Sequence, residues 1–250
     1  MSLFGNLKSD GLEQTQDRLG GGYQPKETDI YTGKIKALYA GKSPGGAQSV
    51  SLILSLADGS EYRETFWITN KKGENFFLNK DDKTKKVPLP GFTLVDDLCL
   101  VTTGKPLAEQ ETEEKTIKLY DSEAKKELPK AVPMLVEALG LEVSLGIAKV
   151  LENKSEKVGE EYVPTAETRE LNATDKVFHT ETRMTVVEAR EGAESAKFWD
   201  SWLERNKGNI RDKRTIKDGQ AGTAGAPKSA GTSAAAPAAG SAPRKSLFGK

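Results

Sequence analysis

In the stretch EYRETFWIT, residues 61–69, side chains alternate with a period of two. Tyr62, Phe66 and Ile68 fall on one side of an extended chain, and Arg63, Thr65, Trp67 and Thr69 on the other. If the first set fills a core, an indole and a guanidinium share an open face. Aromatic planes that stack on bases, together with cations that follow phosphates, are what a single-stranded nucleic acid requires of a protein. The earlier stretch YTGKIKALYAGK turns Lys34 and Lys36 to one side and Tyr31, Ile35 and Tyr39 to the other. Lys42, Lys71, Lys72, Lys80, Lys83, Lys85 and Lys86 lie in loops around them, with Phe76 and Phe77 between. The candidate nucleic-acid-binding set is therefore Lys34, Lys36, Lys42, Arg63, Trp67, Lys71, Lys72, Phe76, Phe77, Lys85 and Lys86. By residue type alone, a tryptophan such as Trp67 is more often core, Phe76-Phe77 can simply anchor the loop, and lysines in loops are normally solvent cover.

Other chemistries are poorly supplied. The segment AGKS at 40–43 has Lys36 where a phosphate-binding loop requires glycine, and it sits between two strand-like segments instead of opening a helix. His179 is the single histidine and Cys99 the single cysteine, which leaves a zinc site or a Ser-His pair with little to draw on. The carboxylate pairs Asp81-Asp82 and Asp96-Asp97 and the run from Glu109 to Glu114 read as solvated charge and not as a two-metal centre. The expectation is a binding protein without catalytic residues, metal or cofactor.

The elements that must position these residues follow from pattern and punctuation. Residues 29–42, 47–57 and 60–69 read as an antiparallel meander, with Val50, Leu52, Leu54 and Leu56 on one face and Asp58-Gly59 as a hairpin turn. A charged loop with a short aromatic step covers 70–91. FTLVDDLCLVTTG, 92–104, has helical spacing and a glycine stop. A strand over 116–121, a short helix over 131–140, a long strand over 142–155 and a poorer one over 162–171 follow. Residues 176–189 mix strand and helix signals, and 193–208 reads as a helix with Phe198, Trp199 and Trp202 on its packed side. The fold class expected is mainly β with added helices (α+β): an OB-like five-stranded Greek-key barrel with helical elaborations and a disordered C-terminal tail.

Lys and Arg total 37 and so do Asp and Glu, but the residues from Gly219 on carry four bases and no acids, leaving 33 bases against 37 acids elsewhere. A body of that sign lacks the overall basic character of a duplex binder, so nucleic-acid binding must follow a local basic path. With one cysteine there is no intrachain disulfide, Met1 is followed by polar sequence instead of a signal-peptide apolar run, and no apolar stretch approaches a membrane span. The expected setting is cytoplasmic. Of the 32 residues from Gly219 to Lys250, 25 are Ala, Gly, Pro, Ser or Thr, a composition that cannot offset its own ordering entropy. The chain thus divides into an N-terminal arm (1–23), a nucleic-acid-binding domain (24–215), a flexible linker (216–243) and a C-terminal interaction peptide (244–250). The word Ser-Leu-Phe-Gly occurs at Ser2–Gly5 and again at Ser246–Gly249. Arg244, Lys245, Leu247, Phe248 and Lys250 are the candidate partner-binding residues, expected to stand well away from the body, with Leu-Phe as apolar anchor.

The stretches MSLFGNLKSDGLE, YTGKIKALYAGKS, PLPGFTLVDDLCLVTTGKPL, KVFHTETRMTV, NKGNIRDKRTIKDG and RKSLFGK together resemble a single-stranded DNA-binding protein of short-tailed bacteriophages. The resemblance spans most of the chain. It implies an OB-like core, coating of exposed strands during phage DNA replication and recombination, and a C-terminal segment that meets phage or host replication or transcription proteins. Bacterial proteins of this functional class end in an acidic tail with a terminal Phe, whereas this tail is basic and ends Phe-Gly-Lys, so their host partners do not carry over. The alternative reading of the residues is a protein-interaction or transcription-modulating adaptor built on an OB-like scaffold.

Overall fold

The structure, a computed structural model, describes residues 24–121, 123–159, 161–216 and Phe248. It is mainly β with helices added, an α+β arrangement. Strands β1 (Asp29–Lys42), β2 (Gln48–Leu56) and β3 (Glu61–Trp67) form the expected meander. The Asp58 carboxylate closes its second turn by accepting hydrogen bonds from the Ser60 main-chain N–H (2.9 Å) and hydroxyl (2.5 Å). These bonds hold the Asp58 carboxyl well below the ordinary carboxylate range. A two-stranded hairpin, β4 (Phe76–Leu78) with β5 (Lys86–Pro88), occupies the stretch expected to be a loop. Helix α1 (Pro90–Thr103) starts with proline in its first turn and stops at Gly104, whose φ of 75° is the left-handed conformation glycine adopts freely.

After α1 the chain makes a hairpin of β6 (Thr112–Asp121) and β7 (Lys126–Leu135), then a longer one of β8 (Glu142–Val158) and β9 (Glu161–Phe178). Helices α2 (Val186–Glu191) and α3 (Lys197–Asn206) and the short strand β10 (Ile210–Asp212) complete the described body. Thr185 and Glu188 form a reciprocal capping box at the start of α2. The ladder runs β3–β2–β1–β8, with β9 antiparallel on β8, β10 parallel to β8, and β7 joined to β1 where Met134 faces Tyr39.

The helix expected over 131–140 is instead the end of β7 and a 3-10 turn, Val136–Ala138. Val132 and Met134 are buried while Ala131 and Pro133 are exposed. That period-two burial, matched by a full ladder to β6, outweighs the helical preference of a ten-residue apolar run.

The main core lies between the meander and α1. Ile35, Leu38, Val50, Leu52, Leu54, Tyr62 and Phe66 meet Val95, Leu98 and Cys99, joined by Val143, Leu145, Ile147 and Val177. Burial pushes the Cys99 thiol up to about 12, leaving it a small apolar side chain at neutral pH. The edge strands β3 and β9 meet at Glu64: its Oε2 accepts from the Thr174 main-chain N–H (3.0 Å) of β9 and from the Tyr62 hydroxyl (2.7 Å) of its own strand. A smaller cluster, Ala37, Ile53, Val132 and Met134, lies on the other face, under the β6–β7 hairpin. Trp202 is buried as expected, its Nε1 donating to Asp175 Oδ2 (2.7 Å) and its ring filling the space beside Gly146. Trp199 packs edge-on against Phe178 (5.0 Å between centroids), while Phe198 remains 41 % exposed at the rim of this group. Among the described residues no helix is long and apolar enough to cross a membrane.

Candidate nucleic-acid interface

The register of the meander defines its outer face row by row. Gly41, Ser49 and Trp67 stand in line, then Tyr39, Ser51 and Thr65, then Ala37, Ile53 and Arg63, and finally Lys34, Ser55 and Glu61. Ser49, Ser51 and Ser55 on the central strand leave a shallow floor between larger groups on its neighbours, interrupted by the buried Ile53. Trp67 is 50 % exposed while Tyr62 and Phe66 are buried, so the period-two reading of β3 holds from Tyr62 to Trp67. It ends there: Ile68 and Thr69 both donate their main-chain N–H to Gln48 O, and Thr69 is buried with its hydroxyl accepting from Gln48 N (2.8 Å). Thr69 therefore does not share the open face with Arg63.

In β1 the alternation is broken by a bulge. The ladder to β2 skips Lys36, so Ile35 faces Leu54 and Ala37 faces Ile53. At the bulge the Ile35 N–H and C=O bond to Leu141 O (2.9 Å) and Gly140 N (2.8 Å). One extra residue inverts the phase of everything after it. Tyr39, expected beside Ile35 on the inner side, consequently lies on the outer face in the row next to Trp67.

Electrostatics on this face centre on Glu61. Its carboxylate takes Lys36 Nζ (2.5 Å) and Arg63 Nη2 (2.7 Å), which hold it below the ordinary carboxylate range. Two cations on one carboxylate leave a surplus positive charge, and Lys36 and Arg63 keep 62 % and 49 % of their side chains exposed. Lys34 lies 3.7 Å from Glu142 and is likewise exposed.

The other sequence-chosen residues surround this face without joining it. Lys42 closes β1 opposite Gln48, out of phase with the Tyr39 and Gly41 rows, and the aliphatic part of Lys71 lies beside Gly45 of the β1–β2 turn. Lys72 belongs to a turn organised by Asn70, whose side-chain oxygen accepts the Lys72 N–H (2.8 Å). On the β4–β5 hairpin, Lys86 Nζ lies 4.3 Å from the centre of the Phe76 ring, Phe77 is 46 % exposed, and Lys85 pairs with Asp82 (3.4 Å). The hairpin is rooted near Trp67, because Leu89 N bonds Asn75 O (2.9 Å) and Gly91 abuts the Trp67 main chain.

Residues not selected from sequence complete the site. The β6–β7 hairpin stands over the outer face and encloses a cleft of about 500 Å³ lined by Tyr39, Arg63, Leu119, Tyr120, Asp121 and Lys130 among others. Tyr39 and Arg63 also line the adjoining hollow above Ser51 and Thr65, whose hydroxyls bond each other at 2.9 Å. Tyr120 is 63 % exposed on a strand whose alternate residues, Ile117 and Leu119, pack inward. An aromatic on the polar side of an alternating strand was the available signal. A larger hollow beside α3 is lined by Asp175, Arg205 and Arg211, but its central charges satisfy each other. Burial alone would raise the Asp175 carboxyl, yet the bonds from Arg211 (2.5 Å) and Trp202 hold it below the ordinary range.

Of the residues assigned to partner binding, Arg244, Lys245, Leu247 and Lys250 lie outside the described residues. Phe248 does not stand away from the body: its ring stacks on His179 at 4.4 Å between centroids and 14° between planes, and it packs against the main core cluster. The expected extension omitted the body's own aromatic surface as a competitor for the terminal Phe. No protein-family model matches the chain, and no curated protein matches it.

Proposed function

We propose that the chain binds single-stranded DNA without sequence preference and coats exposed strands in phage DNA replication and recombination, in the cytoplasm of an infected host. The observation that carries this reading is the outer face of the meander, where Trp67, Tyr39 and Arg63 flank a floor of serines beside a cleft walled by Tyr120 and Lys130. Stacking planes and the surplus positive charge that Lys36 and Arg63 leave on Glu61 share one face, and its serines admit a base without a dedicated set of base-reading donors. Strands β1, β2, β3, β8 and β9, with α1 between the third and fourth, support an OB-like barrel reading, the Glu64–Thr174 bond drawing its edges together. In such a barrel the second and third strands carry the binding surface. Phage or host proteins are met through the C-terminal segment.

Titration of intrinsic tryptophan fluorescence with oligothymidine at low salt tests the proposal. Saturable quenching that reverses with added salt is expected. No spectral change, together with no retention of a labelled oligonucleotide, overturns it.

A further inference from the structure

The surface that holds Phe248 is built in advance. His179 follows the last residue of β9 and is locked in a tight turn: its main-chain N–H donates to Met184 O (2.9 Å) and its carbonyl accepts from Arg183 N (2.8 Å). Arg183 supplies the reversal with a left-handed φ of 60°. The imidazole is fixed as well. The Thr182 main-chain N–H donates to Nδ1 (3.2 Å) and the Thr182 hydroxyl lies 2.9 Å from the same atom, which makes Nδ1 the acceptor and places the proton on Nε2. Burial holds the ring below the ordinary histidine value, with Glu181 opposing weakly, so it is uncharged at neutral pH and suited to face-to-face stacking.

Each chain has one such seat, since His179 is its single histidine, but two copies of the word that fills it. While Phe248 occupies the seat, the copy at Ser2–Gly5 has none in its own chain. We propose that the His179 seat recognises the Leu-Phe-Gly word itself, and that the N-terminal word of a second copy of this chain, with Phe4 as its anchor, is the alternative occupant, joining copies when Phe248 leaves. Phe248 is tied to its own body through residues 217–247, and a ligand on a tether of that length competes at an effective concentration of order millimolar. Self-association is therefore weak while Phe248 is present and stronger when it is removed. This is the reverse of what deleting an ordinary apolar anchor does. Phe248 in its seat packs against the main core cluster, whereas the cleft proposed for DNA adjoins the smaller one, so the inference stands without that proposal.

The single histidine gives one Cε1–Hε1 signal in a ¹H–¹³C correlation spectrum of the full chain. Ring current from Phe248 displaces that signal upfield, and the double variant Phe4→Ala/Phe248→Ala, which lacks both anchors, is expected to return it toward the position of free histidine. Adding a peptide of residues 1–7 to the double variant is expected to restore the upfield shift, and the same peptide with Phe4→Ala is not. In sedimentation, Phe248→Ala is expected to self-associate more than the parent chain, and the double variant Phe4→Ala/Phe248→Ala to lose that gain. A signal indifferent to the double variant, or a peptide without effect on it, overturns the seat. A restored signal that does not depend on chain concentration in Phe248→Ala shows the N-terminal word folding back on its own chain and overturns the second copy as occupant.

Discussion

The carbonyl oxygen of Trp67 lies 2.3 Å from where a Cβ on Gly91 would be. The first turn of α1 thus rests directly on the last residue of β3, and this contact sets the end of the strand that presents the indole. Gly91→Ala cannot be absorbed by a side-chain rotation, because the obstacle is main chain. It is expected to destabilise the fold by about 1–3 kcal/mol, as overpacking does. Urea denaturation followed by far-UV circular dichroism measures the loss, and an unchanged midpoint contradicts the packing.

Trp67 and Trp202 are expected to separate binding from stability. Trp67 is half exposed, so Trp67→Ala should leave the melting temperature nearly unchanged and reduce oligonucleotide affinity by about 1–3 kcal/mol, the stacking contribution of one base. Trp202 is buried and hydrogen-bonded to Asp175, so Trp202→Ala should cost about 3–5 kcal/mol of stability. Parallel thermal melts and fluorescence anisotropy on both variants decide the matter. Unfolding by Trp67→Ala would place that residue in the core after all.

Tyr39 offers a test of the bulge. Tyr39→Ala is expected to weaken oligonucleotide binding by about 1 kcal/mol or more while Tyr31→Ala, on the stretch before the bulge, does not. Equal effects from both would remove the distinction between the two sides of β1.

Salt dependence measures how far the surplus charge around Glu61 extends. If about four to six phosphates are neutralised, log affinity should fall with log salt at a slope of roughly −3 to −4. A slope near zero in an oligothymidine titration contradicts a groove in which Lys36 and Arg63 meet phosphate.

Asp97 gives the fold a pH dependence. It is buried on α1, and burial first, with Asp96 adding and Lys176 and Arg190 opposing, raises its carboxyl to about 6 from 3.8. The folded state therefore holds a proton that the unfolded chain has released, and this contribution is full below about pH 4 and is lost as pH rises through about 6. Asp97→Asn removes the buried charge and is expected to gain about 2–3 kcal/mol at pH 8 relative to the parent. Stability curves for the two proteins between pH 4 and 8 should converge at the acid end. Parallel curves would show that Asp97 does not titrate in this range.

Features that rest on local periodicity, or on residues with special backbone freedom, were legible along the chain. Tyr62 and Phe66 inward with Arg63 and Trp67 outward follows from the two-residue repeat of a strand, and the end of α1 at Gly104 from a conformation that glycine adopts without cost. The aromatic side of α3 was legible for the same reason. Other features depend on which distant segments meet. The Lys36 bulge arises because Ile35 bonds Gly140 and Leu141 across a long sequence separation, and nothing within β1 marks where the phase must invert, so Tyr39 changed face unannounced. Residues 131–140 carry helical and extended signals at once, and the ladder to β6 settled them as strand, since a ten-residue apolar run is helical only if no partner offers its main chain better hydrogen bonds. The contact of Phe248 with His179 joins positions 69 residues apart in sequence, 248 against 179, and composition between them speaks only of what the connecting segment cannot bury. Alternation and glycine act within a few residues and are written in the chain, whereas pairing, bulge phase and docking are competitions between distant segments, decided only when those segments meet.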